Sequence, residues 1–161
     1  MTIAADRRGF SLLEVLFATT ILTIAVLSVA QLFAVAARAN ASARTSAVAA
    51  LLASQKIEQL RALAWSFDAS GVAFTDTTTG SVGLSPSPDG ALDRDVDGYS
   101  DWLDASGRAV LRASAAAYVR RWSIAPLPSN PDTLVLQVKV VPIGAPVGGA
   151  HFVTVKTRKG A

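Results

Sequence analysis

The densest potential chemistry in the chain lies in twelve residues, DRDVDGYSDWLD, from Asp93 to Asp104. A calcium-binding loop of that length needs oxygen ligands at positions 1, 3, 5, 9 and 12. It also needs a backbone carbonyl at position 7 and a glycine at 6 for the sharp turn. Those slots hold Asp93, Asp95, Asp97, Asp101 and Asp104, with Tyr99 giving the carbonyl and Gly98 the turn. Five carboxylates this close repel one another without a counter-cation. Ca2+ at these six residues is therefore the expected cofactor, against the plainer expectation of a solvated acid-rich turn. Aspartate at position 12 has a shorter arm than glutamate, so two-oxygen ligation there is harder. The Pro-rich approach to the stretch speaks for a bare loop rather than a helix-flanked one.

A second charged residue is out of place. Glu14 stands near the start of an apolar run, and from Val15 to Ala37 there are 23 residues without a formal charge. At 1.5 Å per residue that run spans roughly 34 Å, enough to cross a bilayer as a helix. An acid inside such a span costs roughly 2.5–3.5 kcal/mol unless it reaches the interface or finds a cation. Arg7 and Arg8 precede the run, which by the positive-inside bias keeps the N-terminus cytoplasmic.

Other chemistries are poorly supported. One histidine (His151) and no cysteine leave little for a zinc site, a His-based triad or a disulfide framework. No Gly-x-Ser-x-Gly elbow accompanies the many Ser and Thr residues. The formal charge is +3, but six aspartates fall between Asp89 and Asp104 against Arg94 alone. From Ala105 onward eight Lys/Arg face a single acid, Asp132. Such segregation predicts two separate electrostatic roles or one internal pairing. Arg120 and Arg121 beside Trp122 are a thin version of a nucleic-acid stripe, and Trp65, Trp102 and Trp122 are better placed as core or interface anchors.

The elements that must carry these residues follow from periodicity. Arg38 to Trp65 has no Pro or Gly and is rich in helix formers. Val48, Leu51, Leu52, Leu60 and Leu63 recur at three- and four-residue spacings, as one buried face would. One helix over about 11–65 is expected, roughly 80 Å long. Residues 67–107 read as a long irregular region, because TDTTTGSVGLSPSPDG discourages regular structure. Alternation then predicts strands over about 118–125, 133–142 and 151–157, joined by Pro126/Pro128 and a Gly/Pro turn into an antiparallel meander.

The stretch Gly9-Phe10-Ser11-Leu12-Leu13-Glu14-Val15, with the Arg pair before it and the uncharged run after it, resembles the type IV prepilin signature. The resemblance implies that prepilin peptidase cuts after Gly9 on the cytoplasmic side and that the new N-terminal residue, Phe10, is N-methylated. It further implies that Glu14, at the fifth mature position, pairs with the free amino group of Phe10 on a neighbouring subunit. LLASQKIEQLRAL, in the second half of the helix, is similar to minor pilins of the PilV kind and to I-type pseudopilins of type II secretion. The twelve-residue loop is itself closest to the dockerin-type calcium loop, where aspartate at position 12 is usual.

The expected fold is therefore α+β and pilin-like: a long N-terminal helix whose second half packs on a small antiparallel sheet. The expected organisation is a leader (1–9), a membrane or filament-core helix (10–37), an amphipathic half (38–66) and a globular head (67–161). The expected function is a minor pilin or pseudopilin, not an enzyme, held in the inner membrane before joining other pilins or pseudopilins in a filament. Two alternatives stand beside it. One is an anchored or secreted calcium-binding module, cut at a small-residue site such as Ala34-Val35-Ala36. The other is a DNA-uptake subunit gripping nucleic acid through Arg120, Arg121 and the C-terminal Lys/Arg cluster.

Overall fold

A computed structural model describes residues 11–75, 82–111, 113–144 and 148–160. Gly9 and Phe10, expected to flank the cut, lie outside the described residues. The chain divides into two units, Met1–Ala41 and Ser42–Ala161. One helix, α1 (Leu12–Ala62), contributes to both, close to the expected 11–65.

In the first unit, α1 exposes large apolar side chains around most of its surface and has no formal charge from Val15 to Ala37. Leu13, Leu16, Phe17, Ile21, Leu22, Leu32 and Phe33 are all exposed, and a helix without a polar face belongs in an apolar surrounding. Its few hydroxyls do not spoil that. Thr20 donates to the Leu16 carbonyl (2.8 Å), Thr23 to Thr19 (2.7 Å) and Ser28 to Ile24 (2.8 Å). Each hydroxyl is satisfied within its own helix, which lipid requires.

In the second unit, α1 buries one stripe: Ala49, Leu52, Ala53, Ile57 and Leu60. The expected face holds at Leu52 and Leu60, which are buried, and at Val48 and Leu63, which pack partly buried against the core. Leu51 points away and is 69% exposed. Ala49 and Ala53 take central places because small side chains let the helix approach the sheet closely.

That sheet has five antiparallel strands in the order β4-β3-β5-β6-β7: β3 (Ser100–Leu103), β4 (Ala109–Val110), β5 (Tyr118–Leu127), β6 (Asn130–Pro142) and β7 (Ala150–Thr157). The expected meander is its β5-β6-β7 part. On the helix side β5 places Tyr118, Trp122 and Ile124, and β6 places Leu134, Leu136, Val138 and Val140, all buried. β5 runs past Pro126 to Leu127, with a register shift between those two residues, where proline has no N–H for the ladder.

The expected irregular stretch 67–107 needs correction. It contains β3, and a separate hairpin, β1 (Trp65–Phe67) and β2 (Ala73–Thr75), enters it. β3 begins with Ser100 and Asp101, of which aspartate is depleted in strands, and owes its conformation to pairing along β5, with Ser100 opposite Arg121 and Asp101 opposite Arg120. Two copies of one turn, Asp-Ala-Ser-Gly, close the hairpins β1-β2 and β3-β4. In each, the aspartate accepts from the serine N–H and hydroxyl and from the N–H four residues on: Asp68 at 2.9, 2.7 and 2.8 Å, Asp104 at 2.8, 2.7 and 3.0 Å. The glycines, Gly71 and Gly107, take φ of 80° and 81°, which side chains with a Cβ resist.

Candidate functional site

Two places hold the residues singled out by sequence: the start of α1 and the acidic loop. At the first, Ser11 supplies the carbonyl that accepts the N–H groups of Glu14 (3.0 Å) and Val15 (3.2 Å). Glu14 is thus the third residue of α1, in its first turn, beside N–H groups with no partner in the helix. The helix dipole favours a carboxylate there by about 0.3–1 kcal/mol, offsetting part of its cost in an apolar span. Among the described residues Glu14 has no ion pair, and it is exposed.

In the acidic loop three of the aspartates face bases of the sheet. Asp93 pairs with Lys139 (2.8 Å), Asp95 with Arg121 (2.8 Å) and Asp101 with Arg120 (2.6 Å). Asp104 is the turn aspartate described above, and hydrogen bonds from Ser106 and Arg108 hold its pKa below the usual carboxylate value. Tyr99 is buried, and its hydroxyl donates toward the carbonyls of Ser85 and Pro86 (3.0 Å each). Asp97 is exposed, and Gly98 takes the expected turn conformation with φ of 80°. Among the described residues no group of three or more His, Cys, Asp or Glu is gathered so as to hold a metal ion.

The pairing has its own physical reason. In the β5-β6-β7 register, Arg121 lies opposite Lys139, and Lys139 opposite His151. Like charges directly across strands destabilise a sheet. Asp95 and Asp93 supply the counter-charge, and Lys139 in turn holds the Asp93 pKa low. Of the two outcomes the charge segregation predicted, an internal pairing is the one observed. His151 faces Gln137 at 3.2 Å.

A third cluster was missed by sequence reading. Arg120 is on the helix side of the sheet, with its side chain 7% exposed against 25% for Asp101. Its guanidinium grips both oxygens of Asp101 (3.0 and 2.6 Å) and donates to the Leu52 carbonyl of α1 (3.2 Å). Beside it, the Lys56 amine lies 3.5 Å from the centre of the Trp122 ring. Two cations and one acid thus sit between helix and sheet. The Arg-Arg-Trp sequence was visible, but the alternation that sends Arg120 inward and Arg121 outward is the signal that separates their roles. With Arg120 buried against Asp101 and Arg121 tied to Asp95, these two residues do not form the basic stripe of the nucleic-acid alternative.

Burial, opposed by the Asp101 charge and reinforced by Arg120, lowers the Lys56 pKa to about 8 from 10.5. A depressed amine disfavours the protonated folded state. Between pH 8 and 10.5 the unfolded chain binds more protons at Lys56, so this residue makes stability rise with pH across that window. The melting temperature of residues 42–161 should show that rise relative to a Lys56→Met variant, measured from pH 7.5 to 10. Parallel curves for the two proteins would contradict it.

Compared with known proteins, residues 5–30 match the prokaryotic N-terminal methylation motif. No curated protein and no solved structure matches the chain.

Proposed function

From a chain that carries the type IV pilin-like N-terminal signature at residues 5–30, we propose a minor pilin or pseudopilin precursor. It is inserted with Arg7 and Arg8 cytoplasmic, cut after Gly9 by prepilin peptidase, N-methylated at Phe10 and packed into a pilus or secretion pseudopilus through α1. The observation that carries the proposal is the motif joined to a helix that has no formal charge from Val15 to Ala37. The α+β architecture, a long N-terminal helix followed by an antiparallel sheet, agrees with it. In this reading the chain is a structural subunit, and its covalent steps belong to the peptidase and the methylase. Work near the filament tip in a small priming complex is the role that the PilV-like and I-type similarity suggests. Co-expression with a prepilin peptidase should shorten the chain by the residues Met1 to Gly9; an unchanged size would overturn the proposal.

In the filament, Glu14 is the group for which a cation must be found. A neighbour's Phe10 amine meets that need and fixes the register of docking, since a charge left unpaired among packed helices is penalised.

For the acidic loop we propose a role as a strap. Asp93 and Asp95 neutralise the basic row on β5 and β6, a reading that stands against the calcium loop expected at the same residues. At constant ionic strength, millimolar calcium should leave the melting temperature of residues 42–161 unchanged. Raising sodium chloride should lower it slightly, since exposed pairs of this kind contribute little and are screened by salt. A rise specific to calcium, reversed by chelation, would restore the metal loop at Asp93, Asp95, Asp97, Tyr99, Asp101 and Asp104.

A further inference from the structure

β7 is the last strand of the five-stranded sheet, and among the described residues its outer edge is open. The Arg158 N–H donates to the Asp132 carbonyl of β6 (2.8 Å). By the alternation of an antiparallel ladder, the backbone groups of Thr157, Val155, Val153 and His151 therefore face away from β6. Lys159 shows what that outer side accepts. Its N–H donates to Trp65 and its carbonyl receives the Phe67 N–H, both at 3.0 Å, in a parallel bridge with β1. Among the described residues nothing continues that pairing along 151–157, a length of about 23 Å.

Long free edges are usually blunted by proline, a bulge or outward charge. This one has no proline and no register shift. Val153 and Val155 are each 57% exposed on it. The amine of its one lysine, Lys156, turns instead to the carbonyl of Arg61 at the end of α1.

The same edge runs into a cleft of about 560 Å³ that includes Glu58, Arg61, Trp65, Val155, Lys156 and Lys159. Its charges do not balance. Arg61 is matched by Glu58 (2.8 Å), while Lys156 and Lys159 have no carboxylate among the described residues. Neighbouring Arg158 is already committed to Asp132 (2.8 Å) and to the face of Trp65 (3.5 Å). Lys156 has its pKa lowered, first by burial and then by the Lys159 and Arg61 charges, so an incoming acid would meet a deficit of negative charge.

We propose that the free edge of β7 and this basic cleft form one docking surface for an extended, acid-bearing segment of a partner protein. The segment adds as a strand beside residues 151–157, covers Val153 and Val155, and places a carboxylate between Lys156 and Lys159. Strand addition of this kind takes affinity from main-chain hydrogen bonds and specificity from side-chain pockets. Nucleic acid fits less well, because it would leave the backbone edge and both valines unused. The surface lies wholly in residues 42–161 and does not depend on how residues 5–30 are processed.

The test uses the full chain in detergent micelles and a ten-residue peptide of alternating valine and threonine with two glutamates at one end. Binding should slow amide exchange at His151, Val153, Val155 and Thr157. Lys159→Glu, which leaves the cap on α1 intact, should weaken binding on the order of tenfold, about 1.4 kcal/mol. A peptide with lysines in place of the glutamates should give no protection. Equal protection by both peptides, or none by either, would overturn the proposal. So would concentration-dependent protection without peptide, which would make a second copy the occupant. Protection by a short DNA duplex instead would make the surface one for nucleic acid.

Discussion

Asp101→Ala is expected to lower the unfolding free energy of residues 42–161 by up to about 3 kcal/mol, the low end of the cost of removing one partner from a buried ion pair, because the Asp101 side chain is still 25% exposed. Asp101 is the acid that faces both Arg120 and Lys56 in the helix–sheet junction. Without it, two cations remain against the core, and Arg120 keeps just its bond to the Leu52 carbonyl. Arg120→Ala should cost less, because Lys56 remains to face the Asp101 carboxylate. The order of the two losses is therefore a sharper expectation than either size. The double variant Asp101→Leu/Arg120→Met should recover most of the stability, since an apolar pair of similar volume avoids the desolvation cost. Chemical denaturation of the three variants measures this. Equal losses for the single variants, with no recovery in the double, would show that the junction is held by packing alone.

The second large effect is expected at Glu14. Glu14→Ala should insert and be processed like the parent chain, because removing a carboxylate from an apolar span favours insertion. Its incorporation into filaments should fall, however. A close interfacial charge pair contributes about 1.5 kcal/mol or more, so each docking step should weaken at least about tenfold. Processing and incorporation must be measured separately, by chain length and by recovery in sheared filaments. Normal incorporation would mean that the Phe10 amine is not the partner of Glu14, or that none is needed.

Much of this was legible in the residues themselves. The uncharged run and the lack of Pro and Gly up to Trp65 set the helix within three residues at its C-terminal end. Strict alternation set β5, β6 and β7 nearly as well, since a strand with one buried face repeats every two residues. β3 was hidden because Ser-Asp-Trp-Leu has no strand pattern of its own and is held by β5. Its hairpin was nonetheless signalled, by an Asp-Ala-Ser-Gly turn that occurs twice.

The acidic loop marks the reach of a local pattern. Spacing shows how many oxygens can reach one point, but it does not show which cations already stand opposite them. The basic row Arg121, Lys139 and His151 comes together from three strands, and no local pattern announces it. The same holds for Arg120, whose neighbour in sequence faces solvent while it faces Leu52. A one-residue difference decides between a surface charge and a core charge.

We propose that Gly9-Phe10 is a cleavage and methylation site and that the apolar helix stays on the mature protein. Mass spectrometry of the N-terminal peptide, taken from the chain purified from its own cells, tests this most directly. The peptide should begin at Phe10 and carry one methyl group on its amino nitrogen. A peptide that begins near Ala37, or one that still begins at Met1, would contradict it.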